Sequence, residues 1–217
     1  MATCARIVQA CALRVARLEP NGVPDPGANN MYVSDALTQL VVDPQVEEGD
    51  EFTVKNGCGA ICVNVKDCDR LKRLNVTLGL CYPDPELQEL LAGGVVLTNV
   101  LPGDDAVGYG FPRLNEAACP NGVSVELWAK RYDSSGAPDS TFPYEWYVLP
   151  RVYLQHGGRT HENGPLAIEF AGFAIENENW FDGPENDWPV DSDRVYQSIP
   201  TASIPTAACG YATIQVS

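Results

Sequence analysis

Cys58, Cys62, Cys68 and Cys81 lie in one third of this chain, and thiolates in that number pose the question of a zinc site. Structural zinc sites draw on two short pairs with C-x2–4-C spacing. Cys58 and Cys62 supply one such pair; Cys68 and Cys81 are too far apart to supply the second. Small buried hydrophobes or a cross-strand disulfide are the competing readings, and spacing leaves the pairing open. His156 and His161 are the only histidines and share the Gly-rich turn HGGRTH. A helical metalloprotease site would set two histidines on a helix with a glutamate between them, so these read as solvated polar residues.

Carboxylates are abundant: Asp104, Asp105, Glu176, Glu178, Asp182, Glu185, Asp187, Asp191 and Asp193. Two positioned acids are what glycoside hydrolysis needs, but 29 acidic residues produce such clusters by chance. The run DGPENDWPVDSD lacks the calcium-loop spacing and its terminal glutamate. No G-x-S-x-G elbow occurs, and no G-K-[ST] follows Gly57 and Gly59. Trp180 and Trp188 read as packing anchors for a long loop or as platforms for a sugar. No nucleophile–base set or metal motif emerges. The residues point to a non-enzyme without a cofactor.

The elements that would position these residues are mostly strands. VSVELWAKRY alternates Val123, Val125, Leu127 and Ala129 on one face with Ser124, Glu126 and Lys130 on the other. LNVTLGL places Leu74, Val76, Leu78 and Leu80 in register. A period of two marks half-buried antiparallel strands. Further strands are expected over 10–19, 144–155, 165–177 and 209–216, and 31–42 is a second apolar stretch ending at Asp43-Pro44. Pro150 calls for an edge position or a bulge, and Gly172 for a bulge. Phe52–Lys55 and 60–65 flank Asn56-Gly57, a strong hairpin signal. That hairpin reads as an arm projecting from a body or as a simple edge hairpin. One helix is expected: Asp84 as N-cap, Pro85 in the first turn, and Leu87, Leu90 and Leu91 as a buried stripe ending at Gly93-Gly94. Residues 97–120 read as irregular and 178–204 as turn-rich.

Composition agrees with a turn-rich β protein. The 217 residues are 45% hydrophobic, with 19 glycines, 17 prolines and a net charge of −15. They suit one β domain spanning 1–217. Such acidity argues against gripping nucleic acid through phosphates, yet a like-charged wall would let DNA pass without sticking. No segment approaches the ~20 apolar residues that span a bilayer, so no membrane insertion is expected. Arg6, Gln9, Arg14 and Arg17 interrupt any signal-peptide core. Synthesis is therefore expected in a cytosol, where the cysteines stay mostly reduced.

Three stretches together resemble the major tail proteins of long, flexible-tailed bacteriophages, especially those of actinobacterial hosts. They are VKDCDRLKRLNVTLGLCYPDPELQELLAG, VGYGFPRLNEAACPNGVSVELWAK, and WYVLPRVYLQHGGRTHENGPLAIEFAGFAIENENW running into GPENDWP and IPTAACGY. The resemblance covers about 66–211 and is weaker before that.

The resemblance implies a tail-tube subunit: an antiparallel β-sandwich that joins its neighbours into a barrel, with one flanking helix and an extended hairpin arm. Six subunits would close into a ring, and rings would stack into a tube for DNA delivery. By position, Asp84, Leu87, Leu90 and Leu91 mark the flanking helix. The 47–65 hairpin becomes the candidate stacking arm, with Glu47, Glu48, Asp50, Phe52, Asn56, Gly57 and Ile61 as its contact residues. Implied partners are further copies of the chain, the tape-measure, tail-terminator and distal-tail proteins, and genomic DNA passing through the lumen. The implied location is the virion tail, after synthesis in the host bacterial cytoplasm. Rival readings are a head–tail joining or tail-terminator ring, and a virion-surface carbohydrate-binding module using Trp180 and Trp188.

Overall fold

The computed structural model describes residues 6–82, 84–98, 106–115, 121–159, 167–185, 187–189 and 194–214. The protein is mainly β, with one short helix and antiparallel sheets in a sandwich-like arrangement. In chain order the strands are β1 (Arg6–Arg17), β2 (Gly27–Ser34), β3 (Leu37–Glu47), β4 (Glu51–Lys55), β5 (Ile61–Lys66) and β6 (Arg70–Leu80). The helix α1 (Pro85–Ala92) follows, then β7 (Val95–Thr98), β8 (Ala106–Gly110), β9 (Val123–Tyr132), β10 (Tyr144–His156), β11 (Ile168–Ala174), β12 (Gln197–Thr201) and β13 (Ala212–Ile214).

The main sheet runs β13-β2-β1-β9-β10-β11-β6-β3, with β12 also paired to β10. Its fork is at Pro150. The first half of β10 pairs with β12 (Trp146 opposite Ile199), and the second half pairs with β11 (Leu154 opposite Gly172). The β9–β10 register shifts between Leu149 and Val152, so Pro150 sits in the bulge its missing amide requires. Asn177 Nδ2 donates to the Pro150 carbonyl at 3.2 Å in the bulge and to the Gly22 carbonyl at 2.8 Å in the turn after β1, tying the two together. The sheet curls until β3 approaches β1.

Inside the curl lies the larger core. It gathers Leu13 and Val15 of β1, Leu74, Val76, Leu78 and Leu80 of β6, and Phe170 of β11. Leu87, Leu90 and Leu91 of α1 close over it. The helix is only eight residues long, so its local signals matter. Asp84 Oδ1 accepts the amides of Glu86 at 3.0 Å and Leu87 at 3.4 Å. Gly93, at φ 67°, ends the helix with its amide on the Glu89 carbonyl at 2.8 Å.

Three expectations need correction. Part of the stretch expected to be irregular forms a hairpin, β7 with β8, whose Val96 and Tyr109 lie opposite one another; its glycines hid the alternation. Gly172 makes no bulge, because β11 keeps continuous register with both β10 and β6. It is glycine because a Cβ there would collide with the Tyr153 carbonyl oxygen. Finally, β9 is not half-solvated: Ser124 and Glu126 are as buried as Val123 and Val125. A second layer, described below, covers their face.

Gly172→Ala is expected to destabilise the fold by about 1–3 kcal/mol, the usual cost of overpacking. Gly57→Ala, where a Cβ meets nothing within 4 Å, should change stability little. Urea denaturation midpoints for the two variants check the contrast.

Candidate functional site

The candidate assembly site begins where the β3–β6 ladder outruns the core. The two strands pair from Leu37 opposite Leu80 to Glu47 opposite Arg70. Leu74 and the alternate residues beyond it toward Leu80 are buried, whereas residues 70–73 are exposed. A neck follows. The Gly49 amide donates to Asp69 Oδ1 at 3.0 Å and the Asp67 amide to the Asp50 carbonyl at 2.9 Å. The Gly49 amide, aided by Lys66, holds the Asp69 carboxyl below its ordinary range. Gly49 has no space for a Cβ, because the Asp67 carbonyl lies against it.

Past the neck, β4 and β5 form a separate two-stranded sheet. Asn56 builds its tip: its Oδ1 accepts the Cys58 amide at 3.0 Å and the Ala60 amide at 2.9 Å. Cross-strand register sorts the side chains. Phe52 lies opposite Val65 and Val54 opposite Val63, on one face; Glu51 opposite Lys66 and Thr53 opposite Asn64 form the other. Every residue of both strands is exposed. Phe52 is 60% accessible and Ile61, at the start of β5, 59%. The residues expected in the arm are therefore together: Glu47 ends β3, Glu48 and Asp50 are in the neck, Phe52 and Ile61 are on the strands, and Asn56 and Gly57 are at the tip.

An open groove of about 820 Å³ lies at the foot of this arm. Leu40, Val42 and Pro44 of β3, Leu71 and Leu74 of β6, and Leu127 and Tyr147 of the neighbouring strands line it. Glu176 and residues 194–196 complete its wall. Tyr196 stacks on Tyr147 with centroids 5.8 Å apart.

The second layer covers the opposite face of β1, β9 and β10. Arg14 and Glu126 are direct register partners across β1 and β9. Arg14 Nε and Nη2 donate to the two Glu126 oxygens at 2.9 and 2.6 Å. Its Nη1 donates to Glu185 at 2.7 Å, and Nη1 and Nη2 reach Asp187 at 3.1 and 2.9 Å. All five guanidinium donors are thereby used. Trp146 Nε1 donates to Glu126 Oε2 at 3.1 Å, and Arg14 sits over the Trp128 and Trp146 rings. Trp188 meets Trp146 edge-on at 4.8 Å, and Trp180 packs on Trp188. Burial lowers the Arg14 pKa, but Glu126 and Asp187 outweigh it and hold the guanidinium charged. Burial likewise pushes the Glu126 carboxyl up, against the pull of Arg14. The arrangement fastens Trp180, Glu185, Asp187 and Trp188 to the body; its carboxylates are engaged rather than poised as an acid–base pair.

The remaining candidates separate. Trp180 and Trp188 are 1% and 2% exposed, so neither offers a ring face to a sugar. Cys58, Cys62, Cys68 and Cys81 are exposed free thiols rather than buried hydrophobes. The length of β6, roughly 36 Å at ~3.3 Å per residue, separates Cys68 from Cys81. Among the described residues no three cysteines, histidines or acids come together to hold a metal. Asp104, Asp105, His161, Asp191 and Asp193 lie outside the described residues.

His156 belongs to a ring cluster rather than a solvated turn. Tyr109 Oη lies 2.6 Å from both the Gly93 carbonyl and His156 Nε2. The carbonyl can only accept, so it takes the phenol proton and His156 Nε2–H donates to the tyrosine oxygen. Phe111 and Phe170 flank the imidazole. Burial, with Arg159 nearby, pushes His156 down to about 4.

No protein-family model and no curated protein matches this chain. The groove and the Arg14 centre escaped the sequence reading because each joins residues far apart in the chain. One signal existed: a mid-strand arginine between Leu13 and Val15 in β1 and a mid-strand glutamate in β9.

Arg14→Met should cost about 3–5 kcal/mol, because it strands Glu126 as a buried unpaired charge. Adding Glu126→Gln should recover much of that loss in urea melts followed by tryptophan fluorescence. The His156 contribution to stability is complete above the unfolded pKa near 6.5 and is lost as pH falls toward about 4. His156→Leu should flatten that part of the stability–pH curve.

Proposed function

We propose that this chain is a self-assembling structural protein, the subunit of a phage tail tube, in which rings of identical copies stack through the β4–β5 arm. The observation that carries the reading is the uncovered apolar face of the arm. A two-stranded hairpin alone is marginally stable in water. This one presents Phe52, Val54, Val63, Val65 and Ile61 to solvent. Covering their remaining surface would contribute roughly 1 kcal/mol each before association costs. An exposed apolar patch on an otherwise acidic chain marks a surface that another protein covers.

Other features support the same reading. The long edge strand β3 offers an unpaired ladder that ring closure would satisfy. The net charge of −15 suits a wall along which DNA slides. Tape-measure, tail-terminator and distal-tail proteins are the proposed partners at the ends of such a tube, and the virion tail its proposed location. The carbohydrate-binding alternative loses its two platform residues, since Trp180 and Trp188 are interior.

Deleting residues 56–60 should leave folded subunits or single rings and stop growth beyond them. Sedimentation velocity and light scattering of the purified deletion check this. Tubes of ordinary length would contradict the role given to the arm.

A further inference from the structure

We infer that the apolar face of the β4–β5 arm seats in the groove beside Tyr147 and Tyr196 of a second copy of this chain. The inference deepens the assembling reading above by naming the surface that receives the arm. The arm cannot fill its own groove. Pro44, Leu71 and Leu74 line the groove and also form the root of the arm. The ladder runs on from Leu74 to Arg70 through a register shift between the Gln45–Arg73 and Val46–Leu71 pairs and carries the hairpin away from that root; turning back would break the ladder. The occupant must come from another molecule.

Two matches favour a copy of this chain. The first is apolar: the groove offers Leu40, Val42 and Leu127 in about 820 Å³, room for the paired Phe52/Val65 and Val54/Val63 side chains. The second is charge. Glu176 and Arg194 line the groove, and neither has an ion-pair partner among the described residues. On the opposite face of the arm Lys66 is already paired with Asp69 at 3.6 Å, whereas Glu51 has no ion-pair partner among the described residues and is the group to meet Arg194 at the rim.

The contact joins two different surfaces, so one arm in one groove leaves a free arm and a free groove on the pair. Used head to tail it propagates; exchanged reciprocally between two copies it would close as a dimer, and the tube reading requires the head-to-tail use. It also gives residues 194–196 a role: they build the receiving wall, just after the segment that the tryptophans fasten to the body.

The test uses two variants of the full chain, Val54→Glu on the arm and Tyr196→Glu on the groove wall. Both positions are exposed, and far-UV circular dichroism and melting should match the unmodified protein. Val63→Glu and Arg194→Glu repeat the two halves of the test independently. Each variant alone should associate at least tenfold more weakly and stop at the unit its other contacts make. An equimolar mixture should join the two units one to one, because one supplies an intact groove and the other an intact arm. Variants that grow like the unmodified chain, or a mixture that forms no complex, would overturn the inference. Normal tubes from both variants would overturn this contact and leave the tube reading standing. Open arm-in-groove chains without rings would uphold the contact and contradict the tube.

Discussion

The β3–β6 ladder governs this molecule because it serves two environments at once. Over its inner half the side chains of Leu74, Val76, Leu78 and Leu80 are buried against α1 and the facing strands. Over its outer half the same backbone pairing continues with no core beneath it. Hydrogen bonds alone contribute modestly to net stability, so the outer half depends on the inner half for its geometry. The neck at Gly49 and Asp69 then passes that direction to β4 and β5. An arm built this way is held in place by the body yet keeps its own apolar face uncovered.

The body can support such an extension because its central strands are covered on both faces. One face meets the leucine-rich core under α1; the other meets the tryptophan layer around Arg14 and Glu126. A buried ion pair is weak as a source of stability but exacting in geometry, since breaking it leaves a charge in low dielectric. Here it sets β1 against β9 in one register and anchors Glu185 and Asp187 through their carboxylates. Those residues lead on to the wall of the groove at 194–196. The two surfaces assigned to assembly therefore both rest on the same central strands.

Local signals were legible in the sequence wherever the chemistry was local. Asp84, Pro85 and Gly93 delimit the helix, Asn56 builds the hairpin tip, and Pro150 sits in a bulge. What was not legible depended on partners distant in the chain. Glu126 looked solvent-facing because alternation cannot show that Arg14 and Trp146, from other strands, bond to it. Gly172 looked like a bulge because the Tyr153 backbone that excludes a Cβ lies on another strand. The pairing of β7 with β8 was obscured by Gly108 and Gly110, which interrupt the apolar pattern. Of the candidate site, the arm was visible and the groove was not, since the groove exists only once β3, β9, β10 and residues 194–196 converge.

The proposed tail-tube function makes the uncovered arm, the edge strand β3 and the acidic balance parts of one design. Each needs a neighbouring copy of the chain, and none needs a cofactor or a catalytic group. Negative-stain electron microscopy of the purified protein over a concentration series, paired with mass by light scattering, tests this most directly. The account predicts closed rings that stack into hollow tubes as concentration rises. A particle that stays monomeric at every concentration, with no rings in the images, would contradict it.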